Sequence, residues 1–216
     1  MKRILLWVVC LLILIPLAFL GYVYYEITRE TSDRISRGAI DRVINSESPV
    51  YYSDGQTPIG VFFEKTHSQY IRYDHIPKPF IKALVASEDK NFFDHWGFDP
   101  KSIVRAFVAN MKSGRVVQGG STLTQQTAKN VFKREKRSYQ AKIHEMFQAF
   151  LLEREYSKEE ILEMYTNQFF VNGYGKGLKI AAQYFFDKDP QDLDLVEAAF
   201  IVGSVKGPNK YNPFIK

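Results

Sequence analysis

"SEDKNFFDHWGFD" (residues 87–99) crowds five charged side chains, a histidine, three phenylalanines and a tryptophan into thirteen positions. A polar loop does not need that aromatic mass, and a helix core does not hold that much charge. The residues just upstream sharpen the conflict. From Pro79 a helix is expected through Glu88, with Ile81, Leu84 and Val85 as its apolar stripe and Glu88 continuing the stripe at i+7, i+4 and i+3. A carboxylate thus stands on the face that should be buried, in the last turn, where the helix dipole also disfavours negative charge. Two readings follow. Either Glu88 is a general base held in apolar surroundings, or the helix has ended and Glu88 is a solvated tail with Asp89 as a turn residue. Phe92, Phe93 and Trp96 equally fit an ordinary core, and His95 a hydrogen-bonded structural role.

Working outward, the pattern is helical almost to the C-terminus. Asp99-Pro100 combines an oxygen cap with a first-turn proline and predicts a helix to about Lys112. A loop at 114–120 precedes a helix over about Thr122–Phe132, and Ile143, Met146, Phe147, Phe150 and Leu151 give helical spacing to 138–155. Ser157 with Glu160 forms a capping box, glycines at 173, 175 and 177 interrupt the run, and a helix over about 178–186 precedes one capped by Asp194. "VYYSDGQTPIGVFFE" (50–64) predicts a hairpin around Asp54-Gly55. The whole reads as a mainly α domain with a small β element.

Ahead of it, residues 4–25 carry no charge. At about 1.5 Å per residue they reach about 33 Å, enough for a hydrocarbon core of about 30 Å. A cleavable signal peptide would have a shorter apolar region and a small-x-small cleavage site, so an uncleaved anchor is the better reading, with 26–49 as a charged helical stalk or linker. Lys2 and Arg3 favour an inside N-terminus, but four arginines lie within 29–42, and charge alone leaves the topology open. Beyond Lys2 and Arg3 there remain 27 basic residues against 24 acidic ones, too mild a bias for a nucleic-acid binder. The single cysteine, Cys10, lies in the apolar segment, so no disulfide framework or thiol metal site is expected.

Two further constellations stand out. Glu145 lies opposite Ile143 and Phe147, on the expected solvent face, with Ala141 and Ala149 at i−4 and i+4 and Lys142 at i−3. That strip suits a groove beside a carboxylate, and it suits plain solvent as well. "GGSTLTQQTAKN" (119–130) joins close-approach glycines to a helix N-terminus, neutral donors and Lys129, and Lys133, Arg134, Lys136 and Arg137 extend a cationic strip. It lacks the lysine placement of a nucleotide P-loop, and a membrane-facing basic strip fits it too.

In this order, the pieces resemble the peptidoglycan glycosyltransferase family, the domain shared by class A penicillin-binding proteins and monofunctional transglycosylases. Glu88, Asp89, Phe92, Phe93, His95 and Gly97 match its E-D-x-x-F-F-x-H-x-G pattern, and "GGSTLTQQTAKN" is nearly its second motif. "KIHEMFQAFLLE" (142–153), "KEEILEMYTNQFF" (158–170) and "GSVKGPNKYNP" (203–213) look like the third, fourth and fifth, so the resemblance covers 50–213. It implies a mainly α, lysozyme-like helical domain over 50–216 with a small β-hairpin, behind one transmembrane helix within 1–25. It implies an enzyme that polymerises lipid II on the outer face of the cytoplasmic membrane, N-terminus inside. Glu88 would take the proton of the acceptor sugar's 4-hydroxyl as undecaprenyl diphosphate leaves with inversion, and Glu145 would stand near the leaving group. Lys129 and Arg137 would hold the diphosphate, Ser121, Gln125 and Gln126 would line the same site, and Asp89, Phe93, His95 and Lys142 would support it. Phe92, Phe93 and Trp96 would keep water from Glu88. The helix after Pro100 would either dip into lipid to admit the polyprenyl tail or pack as an ordinary helix.

The family's metal dependence varies, so Mg or Mn is compatible but no obligate cofactor is expected. The expected partners are the growing lipid-linked strand, the membrane and a transpeptidase. Ala141 stands where the family usually has arginine, "NGYGKG" (172–177) shifts the usual glycine spacing, and the chain stops at Lys216 where family domains usually continue into another helix. That end fits a short monofunctional enzyme or the front of a longer protein. The rival functions are a lysozyme-like hydrolase and a lipid II-binding scaffold without turnover.

Overall fold

A computed structural model describes residues 2–44, 47–51, 53, 58–63, 68–115, 117–133, 138–171, 175–207 and 210–214. The first helix, α1 (Lys2–Ile35), does not end where the apolar run ends. Its outer part is exposed over 11–22, and Cys10–Ile35 is long and apolar enough to cross a bilayer. From Val23 onward one face turns into the protein: Ile27, Thr31 and Ile35 repeat at i+4 and are buried, as is Ile40 on α2 (Arg37–Ile44). Residues 26–44, expected to stand off as a stalk, are therefore packed into the domain. The joint is polar as well as apolar. The Tyr156 hydroxyl donates to Ile35 O at 2.7 Å, Arg154 Nη1 to the Tyr24 hydroxyl at 2.9 Å, and Arg34 Nη2 to Phe132 O at 3.0 Å.

Strands β1 (Glu47–Tyr51) and β2 (Pro58–Phe63) pair antiparallel, with Glu47 opposite Phe63. The Asp54-Gly55 turn lies outside the described residues. Helix α3 (Lys78–Glu88) buries Phe80 and Leu84 completely and packs on α9 (Leu195–Lys206), which Asp194 caps through Val196 N and Glu197 N. Helix α5 (Leu123–Val131) sits deepest, packed on α6 (Tyr139–Glu155) and α7 (Lys158–Gln168). Its start is a capping box of Thr122 and Gln125, and α7 starts with the box of Ser157 and Glu160. A two-residue pair, β3 (Phe170–Val171) with β4 (Gly175–Lys176), leads to α8 (Leu178–Phe186). Residues 172–174 of the "NGYGKG" stretch lie outside the described residues.

Helix α4 (Pro100–Ser113) inverts the usual pattern. Ile103, Val104, Phe107, Val108 and Met111 are all exposed, and Ala106 is its one buried residue among those described. Among the described residues, nothing covers this face. The helix stays in place through its ends: Gly114 closes it at φ 64°, and the Asp99 carboxylate opens it, accepting from Lys101 N at 2.9 Å, Ser102 Oγ at 2.6 Å and Asn91 Nδ2 at 2.8 Å. Burial pushes the Asp99 carboxyl up, but the hydrogen bonds outweigh it and hold the group at about 2, below its ordinary 3.8. The folded group thus binds its proton more weakly than the unfolded one. Its contribution is full at neutral pH and fades as pH falls from about 4 through about 2. Asp99→Ala is expected to cost about 1 kcal/mol at pH 7. Thermal melts should show the gap to wild type narrowing towards pH 2.

Candidate active site

Glu88 ends α3 at the mouth of a cleft of about 720 Å³. Glu145, Ser121, Gln126, Lys129 and Lys142 line the same cleft, as do Lys90, Arg105 and Lys206. Two carboxylates and five cations thus face one space.

Glu88 is half-buried, and its two oxygens differ. Oε2 accepts from Gln126 Nε2 at 3.2 Å, whereas Oε1 is enclosed and has no hydrogen-bond partner among the described residues. A buried carboxylate oxygen without a partner costs free energy that a ligand hydroxyl can recover. The Gln126 amide is oriented from behind by the buried Tyr165 hydroxyl, 3.4 Å from Gln126 Oε1. Burial, and then the charge of Glu88, push the Tyr165 phenol up, so it stays a neutral donor.

The backbone beneath Glu88 is fixed by its neighbour. Asp89 caps the end of α3, and its buried Oδ2 accepts from Leu123 N at 2.9 Å and from His95 Nε2 at 2.9 Å. Gly97 N donates to His95 Nδ1 at 3.2 Å, which places the imidazole proton on Nε2, facing Asp89. Thr122 Oγ1 donates to Gly97 O at 2.6 Å. Gly97 itself sits at φ 91°, where an added Cβ would lie 2.8 Å from backbone atoms of Ala149 and Phe150. Only glycine lets this loop lie so close to α6.

Glu145 is buried, 3% exposed, where the helical pattern placed it on the solvent face. The reason is that α6 has partners on two sides. Tyr24 of α1 packs on Phe147 and Phe150, with ring centroids 5.9 and 6.4 Å apart, while Glu145, Ala149 and Leu152 turn inward and are buried. Ile143, read as core, is exposed. Lys142 Nζ forms a short ion pair with Glu145 and donates to Ser121 Oγ at 2.7 Å, so Glu145 tethers a cation at the rim. Ile143, Met146, Ile103 and Phe107 line a second, apolar groove of about 730 Å³ that shares Ser121 and Lys142 with the cleft.

Not every expected residue arrives there. Gln125 is buried in the α5 capping box, its Oε1 accepting from Thr122 N at 3.0 Å, and it lines the apolar groove rather than the cleft. Phe93 and Trp96 are exposed and outside the cleft lining, because the loop turns them outward; only Phe92 of the three is buried. Arg137 lies outside the described residues. Among the described residues no three His, Cys, Asp or Glu side chains converge as metal ligands. Lys90 and Lys206, at helix ends, and Arg105, inside α4, escaped the sequence reading because a single lysine or arginine carries no periodic signal.

Residues 55–216 match the family described as Transglycosylase. Penicillin-binding protein 1A of Aquifex aeolicus (strain VF5) is 46% identical over 145 residues, 67% of this chain and 20% of the relative. The proteins of that name from Pseudomonas aeruginosa (strain PAO1) and Neisseria flavescens are 43% and 42% identical over 166 residues, 77% of this chain and 20% and 21% of theirs. The chain therefore spans about a fifth of the length of these relatives.

Proposed function

This chain belongs to the transglycosylase family, and on that premise we propose that it polymerises lipid II into β-1,4-linked glycan with inversion at the donor anomeric carbon. The observation that carries the reading is Glu88, whose Oε1 has no partner among the described residues, on the lining of a cleft rich in cations. A sugar hydroxyl is a weak acid and needs a placed base. The Glu88 carboxylate accepts the proton of the acceptor's 4-hydroxyl, that oxygen bonds to the donor's anomeric carbon, and the bond to the diphosphate breaks with its electron pair. Undecaprenyl diphosphate leaves as an anion, opposed by Lys129, by Lys142 held on Glu145, and by Ser121. Asp89 and His95 keep the loop under Glu88 in register.

The apolar groove beside Lys142 takes the first part of the polyprenyl chain, while the exposed face of α4 rests in the bilayer beside α1. The chain is then a single-pass anchored protein of the cytoplasmic membrane, N-terminus inside, with its cleft on the outer face. A transpeptidase would act on the strands produced. The cations favour this reading over a glycan hydrolase, whose sugar leaving group needs a general acid rather than fixed positive charge.

The test is incubation of the full chain in detergent with purified lipid II, with and without chelator. Polymer of rising length supports the reading; shortening of preformed glycan supports hydrolysis; lipid II binding without product supports a scaffold. Lys129→Ala is expected to weaken engagement of the lipid diphosphate by about 10- to 100-fold, the range for a lost charge-assisted hydrogen bond. Titration of labelled lipid II against the variant checks it.

A further inference from the structure

Lys158 is placed where a lysine is poorly suited to helix stability. It is the first residue of α7, at the positive end of the helix dipole, followed by Glu159 and Glu160, which suit that end. Its side chain bends away from α7 and is 18% exposed. The ammonium donates to His95 O at 2.6 Å and to Glu153 Oε1 at 2.7 Å, and it lies 4.5 Å from the centroid of the buried Phe92 ring. Glu153, on α6 two turns beyond Glu145, also accepts from Thr124 Oγ1 of α5 at 2.6 Å. One nitrogen thus ties the loop of residues 89–99 to α6 and, through Glu153 and Thr124, to α5, two of the helices that line the cleft. The loop end it grips is the one that matters: the His95 ring bonds Asp89, and Asp89 holds Leu123 N.

We propose that Lys158 is a positioning residue for the Glu88 carboxylate, fixing the loop through His95 O so that Asp89 keeps the end of α3 in register with α5. This rests on the reading of Glu88 as the base. A group acting this way changes the chemical step more than binding, because it sets the geometry of a side chain that Lys158 itself never touches. A salt bridge that merely stabilised the fold would change the melting temperature and leave turnover of the folded fraction intact.

The experiment compares full-length wild type with Lys158→Met, which keeps the unbranched stem over Phe92 and loses the donors, and with Leu193→Ala, a buried position outside the cleft lining. Lys158→Met is expected to lower kcat by about 10- to 100-fold with KM for lipid II within about twofold. The amides of Gly97 and Leu123 should exchange with deuterium about tenfold faster or more. Leu193→Ala should lose melting temperature and keep kcat. If Lys158→Met does not fold, Glu153→Gln, which leaves the ammonium on His95 O but removes its counter-charge, should show a smaller kcat loss in the same sense. Wild-type kcat in the folded variant, or a kcat loss that Leu193→Ala reproduces at equal loss of melting temperature, overturns the proposal. Were wild type to make no polymer, the reading of Glu88 would fall, and the exchange of Gly97 and Leu123 would still decide whether Lys158 fixes the loop: unchanged protection refutes it.

Discussion

Glu88→Gln is expected to lower polymerisation by about 10²- to 10⁴-fold, the usual contribution of a placed general base, while lipid II still binds. The substitution is nearly isosteric. It keeps the shape that rests on Gln126 Nε2, and it removes the carboxylate proposed to accept the hydroxyl proton. Because Oε1 has no partner among the described residues, no hydrogen bond seen there is lost, and the melting temperature should stay the same or rise. Steady-state kinetics with labelled lipid II, a binding titration and a thermal melt separate these effects. A fall in binding that matched the fall in rate would make Glu88 a substrate contact rather than a base.

Gly97→Ala should have the largest effect on the folded state. Its backbone lies at φ 91°, which costs a residue with a side chain about 1–3 kcal/mol. The new methyl would lie 2.8 Å from the main chain of α6, and a helix backbone packed on both sides cannot retreat as a flexible side chain could. Overpacking adds about 1–3 kcal/mol. The sum is a loss of about 2–6 kcal/mol, read by denaturant unfolding. The surviving native fraction should also turn over slowly, because Thr122 and His95 both hold residue 97.

These two positions show what the sequence discloses and what it hides. Local chemistry was readable: the Asp99 cap, the boxes at Ser157–Glu160 and Asp194, and the boundaries of α6 and α8 follow from side chains within four residues of the helix ends. The stripe that runs into Glu88 was readable only in part: Leu84 is fully buried, Ile81 and Val85 are half-buried, and the most buried aromatic, Phe80, stacked on Phe169, was not in it. The face of α6 was misread because that helix has neighbours on two sides, and the α4 stripe could not be read either way from its pattern. Ile143 looks like core and Glu145 like surface until α1 and α5 are both in place, when their burial reverses. On α4 five large apolar residues imitate a core stripe and are all exposed, since the pattern is the same whether a protein or a bilayer covers it. The packing of 26–44 was hidden by its charges, which decorate the outside of helices whose isoleucines point in. Lys158 carried a readable sign, a cation at the wrong end of a helix, but its meaning needs the loop that only the fold brings beside it.

The most direct measurement of the central claim is a stoichiometry. The full chain is mixed with doubly labelled lipid II, and glycosidic bonds formed and lipid diphosphate released are counted in the same reaction. The account predicts one lipid diphosphate for every new β-linked bond, with both signals lost together in Glu88→Gln. Release of lipid diphosphate without bond formation, or bond formation that survives in Glu88→Gln, would contradict it.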